Sequence, residues 1–411
     1  ATRGTRDFLV ALARWTRRPA EWASIDEATR PAPLHLAVEP PLRRLAVHPP
    51  LLDPPAGTSP TLLPEPPLSG RDAASVTPPN WIARQGMRVL WSRFTLPALD
   101  SLLGFVDVAA LNALATTIPP AAIADTLGTR NLWRITADRL QVTTVRWFPA
   151  IALATVPMAE EKRSPAASLG SGPADEVDLH GDLVSIPCGL DSLYWRNGLR
   201  PAYRILAKLG GARSAPDVIA GVALDLDGAM TDYSSSGFCD ADYRTGLTAL
   251  GLDRAELDEL IALPPPERYH TLLERGVLGK YFDALENAVA ERALALRNEV
   301  RKVKPDVRFA FHASQTPLDW FSLGLLRGFS SPDAPVLLWF GASDNPRALL
   351  RRYQERGIYA LSALGIDPTR AKFAPGELAR LRPAASSDQA GFWLDGAAPD
   401  SVGRLIRRSL K

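Results

Sequence analysis

Asp225 and Asp227 close the apolar run Gly221-Val222-Ala223-Leu224-Asp225-Leu226-Asp227 and lie two positions apart. Side chains alternate faces along a strand, so both carboxyl groups project together from its C-terminal end. Like charges that close oppose each other's ionisation, which lets one acid keep a proton to donate while its neighbour stays charged. Glycoside cleavage asks for that division, with a proton donor at the leaving oxygen and a second group that stabilises positive charge at the anomeric carbon. Asp227 is the expected donor and Asp225 the charged partner. Asp344 and Asp395, at the ends of two later strand candidates, are the expected carboxylates across the cleft. Asp344 precedes Asn345-Pro346 at a predicted helix start, where capping explains it equally well.

Residues 220–227 resemble the fourth barrel strand of chitinase-type glycosidases, patterned Asp-Gly-x-Asp-x-Asp-x-Glu, in a degenerate form. Ala220 and Ala223 replace the first two acids, and Asp227 stands where the acid/base Glu is expected. The resemblance implies a (β/α)8 TIM-type barrel, acid catalysis by a strand-4 carboxylate, and an Asp225 that steadies the cation or orients a substrate acetamido group. Asp225-Leu226-Asp227-Gly228, with Met230 and Asp232, is also similar to the first motif of haloacid-dehalogenase-type phosphatases. That likeness implies Asp225 as phosphoryl nucleophile and dependence on Mg²⁺. Ser314 can serve its second motif, but no Lys falls between Lys304 and Lys372, and residues 340–345 keep one acid. So few carboxylates underfill a magnesium site. A non-catalytic carbohydrate-binding barrel that has lost its acids is the third reading.

The acids must be held by a scaffold, and from Trp81 onward short apolar runs alternate with helical stretches, as in a parallel α/β fold. Strands are predicted at 88–94, 105–111, 142–148, 184–188, 219–225, 308–312, 336–340, 358–364 and 391–394. That is one more than eight, and 184–188 is the expected excess. Helices are clearest at 201–209, 282–302 and 346–356. Barrel enzymes carry their functional residues where strands end. Those ends present Trp91 with Arg93, Asn112, Trp147, His312 with Gln315, Trp339 and Trp393, and Tyr233 sits in the loop after the acids. Sugar rings stack on aromatic planes while amides and charged groups bind their hydroxyls, so these nine residues form the expected saccharide cleft. About half of the tryptophans are expected to be structural instead.

The 411 residues, 46% of them apolar, suffice for a large core. Residues 1–30 read as an N-terminal helical segment and 31–80, with fourteen prolines, as an extended arm or linker. Residues 81–411 read as the barrel domain, with a mobile loop at about 158–180. The 47 basic and 45 acidic residues nearly cancel, which argues against nucleic acid as a partner. No run is long and apolar enough for a membrane span. Two cysteines, Cys188 and Cys239, allow one bridge at most, and the five histidines include no His-x-x-x-His pair. No metal and no cofactor is therefore expected, and the partner is a carbohydrate. A chain starting at Ala1 without Met fits either a trimmed chain or one whose signal peptide has been removed, so a secreted or periplasmic protein is expected, with a cytoplasmic one as the alternative.

Overall fold

The computed structural model describes residues 76–93, 99–117, 132–152, 174–211, 218–227, 229–341, 346–367, 376–379 and 389–411. The expected N-terminal helix and nearly all of the proline-rich arm lie outside them. In chain order the strands are β1 (Met87–Arg93), β2 (Ala113–Thr117), β3 (Arg146–Ala152), β4 (Asp175–Val177), β5 (Leu183–Pro187), β6 (Gly221–Asp225), β7 (Arg308–Ala313), β8 (Val336–Phe340), β9 (Ala360–Ile366) and β10 (Gln389–Asp395). β4 and β5 form a separate antiparallel hairpin. The other eight close into a parallel barrel in the order β1-β2-β3-β6-β7-β8-β9-β10. The surplus strand expected at 184–188 is thus one arm of the hairpin.

Parallel neighbours need long crossovers. Helices Leu99–Val108, Leu132–Leu140, Arg200–Gly211, Leu278–Val303, Trp320–Phe329 and Pro346–Glu355 supply them. Two strand predictions are corrected. The run 105–111 belongs largely to helix Leu99–Val108, whose buried Leu99, Leu102, Phe105 and Val106 follow helical spacing, and the strand begins only at Ala113. The run 142–148 starts four residues early: Val142 is exposed in a turn, and β3 continues through Pro149. The expected mobile loop is corrected at its C-terminal end, where Asp175–Val177 is strand β4.

Small and large side chains share the barrel interior. Ala113, Ala115, Ala150, Ala223, Ala310 and Ala363 leave space that Trp91, Trp339, Trp393 and Phe148 fill. A barrel of eight strands is a packed core, not a pore. Closure depends on Gly391 of β10, whose φ of 151° accompanies a register shift and whose Cβ, if present, would sit 1.8 Å from the carbonyl oxygen of Met87. Gly391→Ala is expected to destabilise the barrel by about 3 kcal/mol, seen as a lower urea midpoint at unchanged slope.

Helix Trp320–Phe329, which follows β7, begins with a buried cap. Asp319 accepts the Ser322 N–H at 2.8 Å, and burial pushes its carboxyl up to about 6. A raised folded-state pKa favours the protonated form in the fold. The stabilisation is complete below about pH 3.8 and is lost as pH rises through about 6, amounting to at most about 3 kcal/mol. Asp319→Asn keeps an acceptor but cannot titrate, so melting temperature plotted from pH 4 to 7 should lose this limb. An unchanged profile in the variant would assign the limb to other groups.

Candidate active site at the barrel mouth

Asp225 ends β6, Asp227 follows it, and His312 lies in β7 directly across the register from Asp225. His312 Nδ1 is 2.8 Å from Asp225 Oδ1 and 3.8 Å from Asp227 Oδ2. Asp225 Oδ1 also accepts the Asp227 N–H at 3.2 Å, and Asp227 Oδ1 accepts the Ser314 N–H at 2.6 Å. The side chain of His312 is 5% exposed, that of Asp225 16% and that of Asp227 34%. Exposure therefore rises from an anchored imidazole through a bridging carboxylate to an accessible one. Asp227 is the more accessible of the two acids.

His312 is fixed by aromatic rings. Trp91 stacks on it with centroids 3.8 Å apart and planes 10° from parallel, and Trp393 presents its edge at 4.9 Å. Trp393 Nε1 donates to the Phe340 carbonyl. His312 Nε2 and Trp339 Nε1 are buried without a hydrogen-bond partner among the described residues. The 2.8 Å contact between Nδ1 and Asp225 Oδ1 holds that carboxylate in one orientation.

The segment after Asp227 is pinned from outside the barrel. Tyr233, in the short helix Met230–Ser234, donates to the Pro187 carbonyl at 2.6 Å and stacks on Phe321. The Gly237 and Phe238 N–H groups bond the Val177 carbonyl of β4, and Cys239 forms a disulfide with Cys188. Beside that bridge lies a buried carboxyl pair. Glu176 accepts N–H bonds from Val177, Gly189 and Cys239, and Asp242 accepts one from Leu190. Burial raises both carboxyls, Asp242 well above the usual range, and neighbouring Glu176 adds to the reluctance of Asp242 to ionise.

The other expected site residues fall differently. Asn112 precedes β2 and sits at the opposite end of the barrel, where it bonds the Arg88 N–H and the Gly86 carbonyl. Trp147 lies near the start of β3, on the face opposite Phe148, with its Nε1 on Thr116 Oγ1. Tyr233 is fully buried rather than lining a cleft. Trp91, Trp339 and Trp393 are buried as well, so their rings fill the barrel and offer no open stacking plane. Gln315 is exposed beside the site. Asp395 is exposed at the end of β10, the strand diametrically opposite β6 in the barrel order. Asp344 and the side chain of Arg93 lie outside the described residues.

One ligand atom from each of Asp225, Asp227 and His312 lies within 4.8 Å of the others, a spacing that a divalent cation can bridge. A metal-bound histidine normally anchors its second nitrogen, whereas Nε2 here has no partner among the described residues. The second grouping, Glu176 and Asp242 with both cysteines, offers no thiolates because the cysteines are bridged. Asp242 belongs to the polar 233–243 stretch expected over the cleft, but it is buried against Glu176 instead. They are two acids among 45, and only the fold brings them together.

No family model and no curated protein matches the sequence. Among solved structures, the β-amylase catalytic domain from Paenibacillus polymyxa superposes with a TM-score of 0.50 at 10% identity, covering 80% of this chain and 98% of that one. The shared feature is the (β/α)8 fold. A β-galactosidase from Marinomonas ef1 gives 0.42 at 9% identity over 62% of this chain and 40% of its own, and an agarase 0.33 at 11% over 73% and 42%. At 10% identity the likeness to the β-amylase domain is one of fold alone.

Proposed function

We infer that the chain is a glycoside hydrolase-like protein acting on a poly- or oligosaccharide, with Asp227 as proton donor and Asp225 as the charged partner positioned by His312. The observation that carries this is the Asp225-Asp227-His312 cluster at the C-terminal mouth of a closed parallel barrel, where such folds keep their chemistry. Asp395 projects from the opposite strand and is the carboxylate available on the far side of a bound sugar. Its side chain and that of Asp227 would then flank the scissile bond. Aspartate at 227 is one methylene shorter than the chitinase-type Glu, so the substrate must descend further into the mouth.

The phosphatase reading loses ground on geometry. A phosphoryl nucleophile needs a free carboxylate, whereas Asp225 is the less exposed acid and already holds His312 Nδ1 and the Asp227 N–H. The binding-only reading is favoured by one observation, the burial of the tryptophans expected to stack on sugar. Reducing-end release from a panel of α- and β-linked glycans, amino-sugar polymers included, separates the readings. Release from at least one polymer is expected. Binding without release would leave the binding-only reading standing. The Cys188–Cys239 bridge supports an oxidising compartment and so a secreted or periplasmic protein. No described helix is long and apolar enough to cross a membrane.

A further inference from the structure

A second concave surface lies outside the barrel, independent of the mouth. Residues Tyr194–Leu199 form a π-helix that runs into helix Arg200–Gly211, and this ridge faces the middle of helix Leu278–Val303. Between them is a cleft of about 460 Å³. One wall carries Trp195, Arg196 and Arg200, and the other carries Arg292, Leu296 and Glu299 at the i, i+4, i+7 spacing of a single helix face.

The cleft is held open at both ends. Arg200 Nε meets Glu299 Oε2 at 2.7 Å and Arg204 meets Oε1 at 3.0 Å, so the one lining carboxylate is already shared by two guanidinium groups. Arg292 donates to the Leu190 carbonyl, and Asp191 and Asp242 offset part of its charge. Arg196 is exposed and has no ion-pair or hydrogen-bond partner among the described residues. Trp195 donates its Nε1 to the Gly189 carbonyl at 2.8 Å and is largely buried, so with Leu296 it forms the apolar floor of the cleft and presents only an edge to it. Single-turn π-helices recur at functional sites because the extra residue re-aims side chains.

We propose that this cleft binds a small organic anion, a carboxylate or phosphate borne on a sugar-sized ring, with Arg196 and its neighbouring arginines on the anion and the ring resting on the apolar floor of Trp195 and Leu296. Pockets of this size, largely apolar with few convergent polar groups, suit such ligands. Guanidinium forks match both oxyanions.

Calorimetric titration of the full chain at low salt with D-glucuronate, glucose 6-phosphate and glucose tests this. At least one anion should bind and glucose should not, and the better anion tells carboxylate from phosphate. Arg196→Gln, at an exposed position, should weaken binding at least tenfold while the melting temperature holds. Glu299→Gln should tighten it by releasing Arg200 and Arg204. Asp227→Asn should leave it unchanged, so failure here and failure of the mouth chemistry read out separately. The proposal is overturned if neither anion binds, if Arg196→Gln binds as tightly as wild type, or if glucose binds equally. Inorganic phosphate binding as well as glucose 6-phosphate would remove the ring from the site.

Discussion

Asp227→Asn is expected to cut glycan cleavage by about 10²- to 10⁴-fold, the range that a positioned proton donor contributes. Asparagine retains a carbonyl oxygen for the Ser314 N–H, and the side chain is a third exposed, so the fold and its melting temperature should survive. Asp225→Asn should cost as much activity by a different route. Its amide would still accept the Asp227 N–H, but it removes the charge that faces His312 Nδ1 at 2.8 Å. The two variants together therefore distinguish a donor from a positioned charge: external weak acids should partly rescue the first and not the second. Reducing-end assays on a responsive polymer, with circular dichroism on each variant, measure this. An Asp227→Asn protein that cleaves at the wild-type rate would remove Asp227 from the chemistry.

Joint replacement of Cys188 and Cys239 by alanine should lower stability by roughly 4 kcal/mol, from the chain entropy that a bridge across 51 residues removes from the unfolded state. At about 2–4 °C per kcal/mol for a domain of this size, the melting temperature should fall by about 10 °C. Both cysteines are buried, so the double variant is a cleaner test than added reductant. Cleavage should fall as well, because the bridge adjoins the 226–239 segment whose first residues carry the donor. A variant that melts with wild type would mean that the Glu176–Asp242 pair and the Val177 carbonyl bonds hold the hairpin alone.

Much of the barrel was legible because its strands are short apolar runs bounded by polar stretches. The run at 336–340 coincides with β8, and those at 219–225 and 308–312 fall within two residues of β6 and β7. The failures share a cause. Helix Leu99–Val108 is apolar on most of its surface, so period alone could not separate it from a buried strand, and the error put Asn112 at the wrong end of the barrel. The run at 142–148 starts four residues early, since β3 spans Arg146–Ala152 and includes Pro149, and this displaced Trp147 from its place near the strand's start. The tryptophans at 91, 339 and 393 were correctly placed on strands, but not in burial. The alanines on β2, β3, β6, β7 and β9 leave a void that only large rings can fill, a relation that exists in three dimensions alone. The carboxyl pair was legible in type, while the partnership of Asp225 with His312 required the register of β6 against β7.

The bridge from Cys188 to Cys239 makes a closed ring of the intervening chain, and β6 is the one barrel strand inside it. Both acids ride on that ring. A protease nick anywhere within it would leave the two fragments covalently joined, with Asp225 and Asp227 still part of one covalent molecule. Such a molecule would run as one species without reductant and as two with it. The strand that carries both acids thus remains within one covalent molecule after any single cut in that ring.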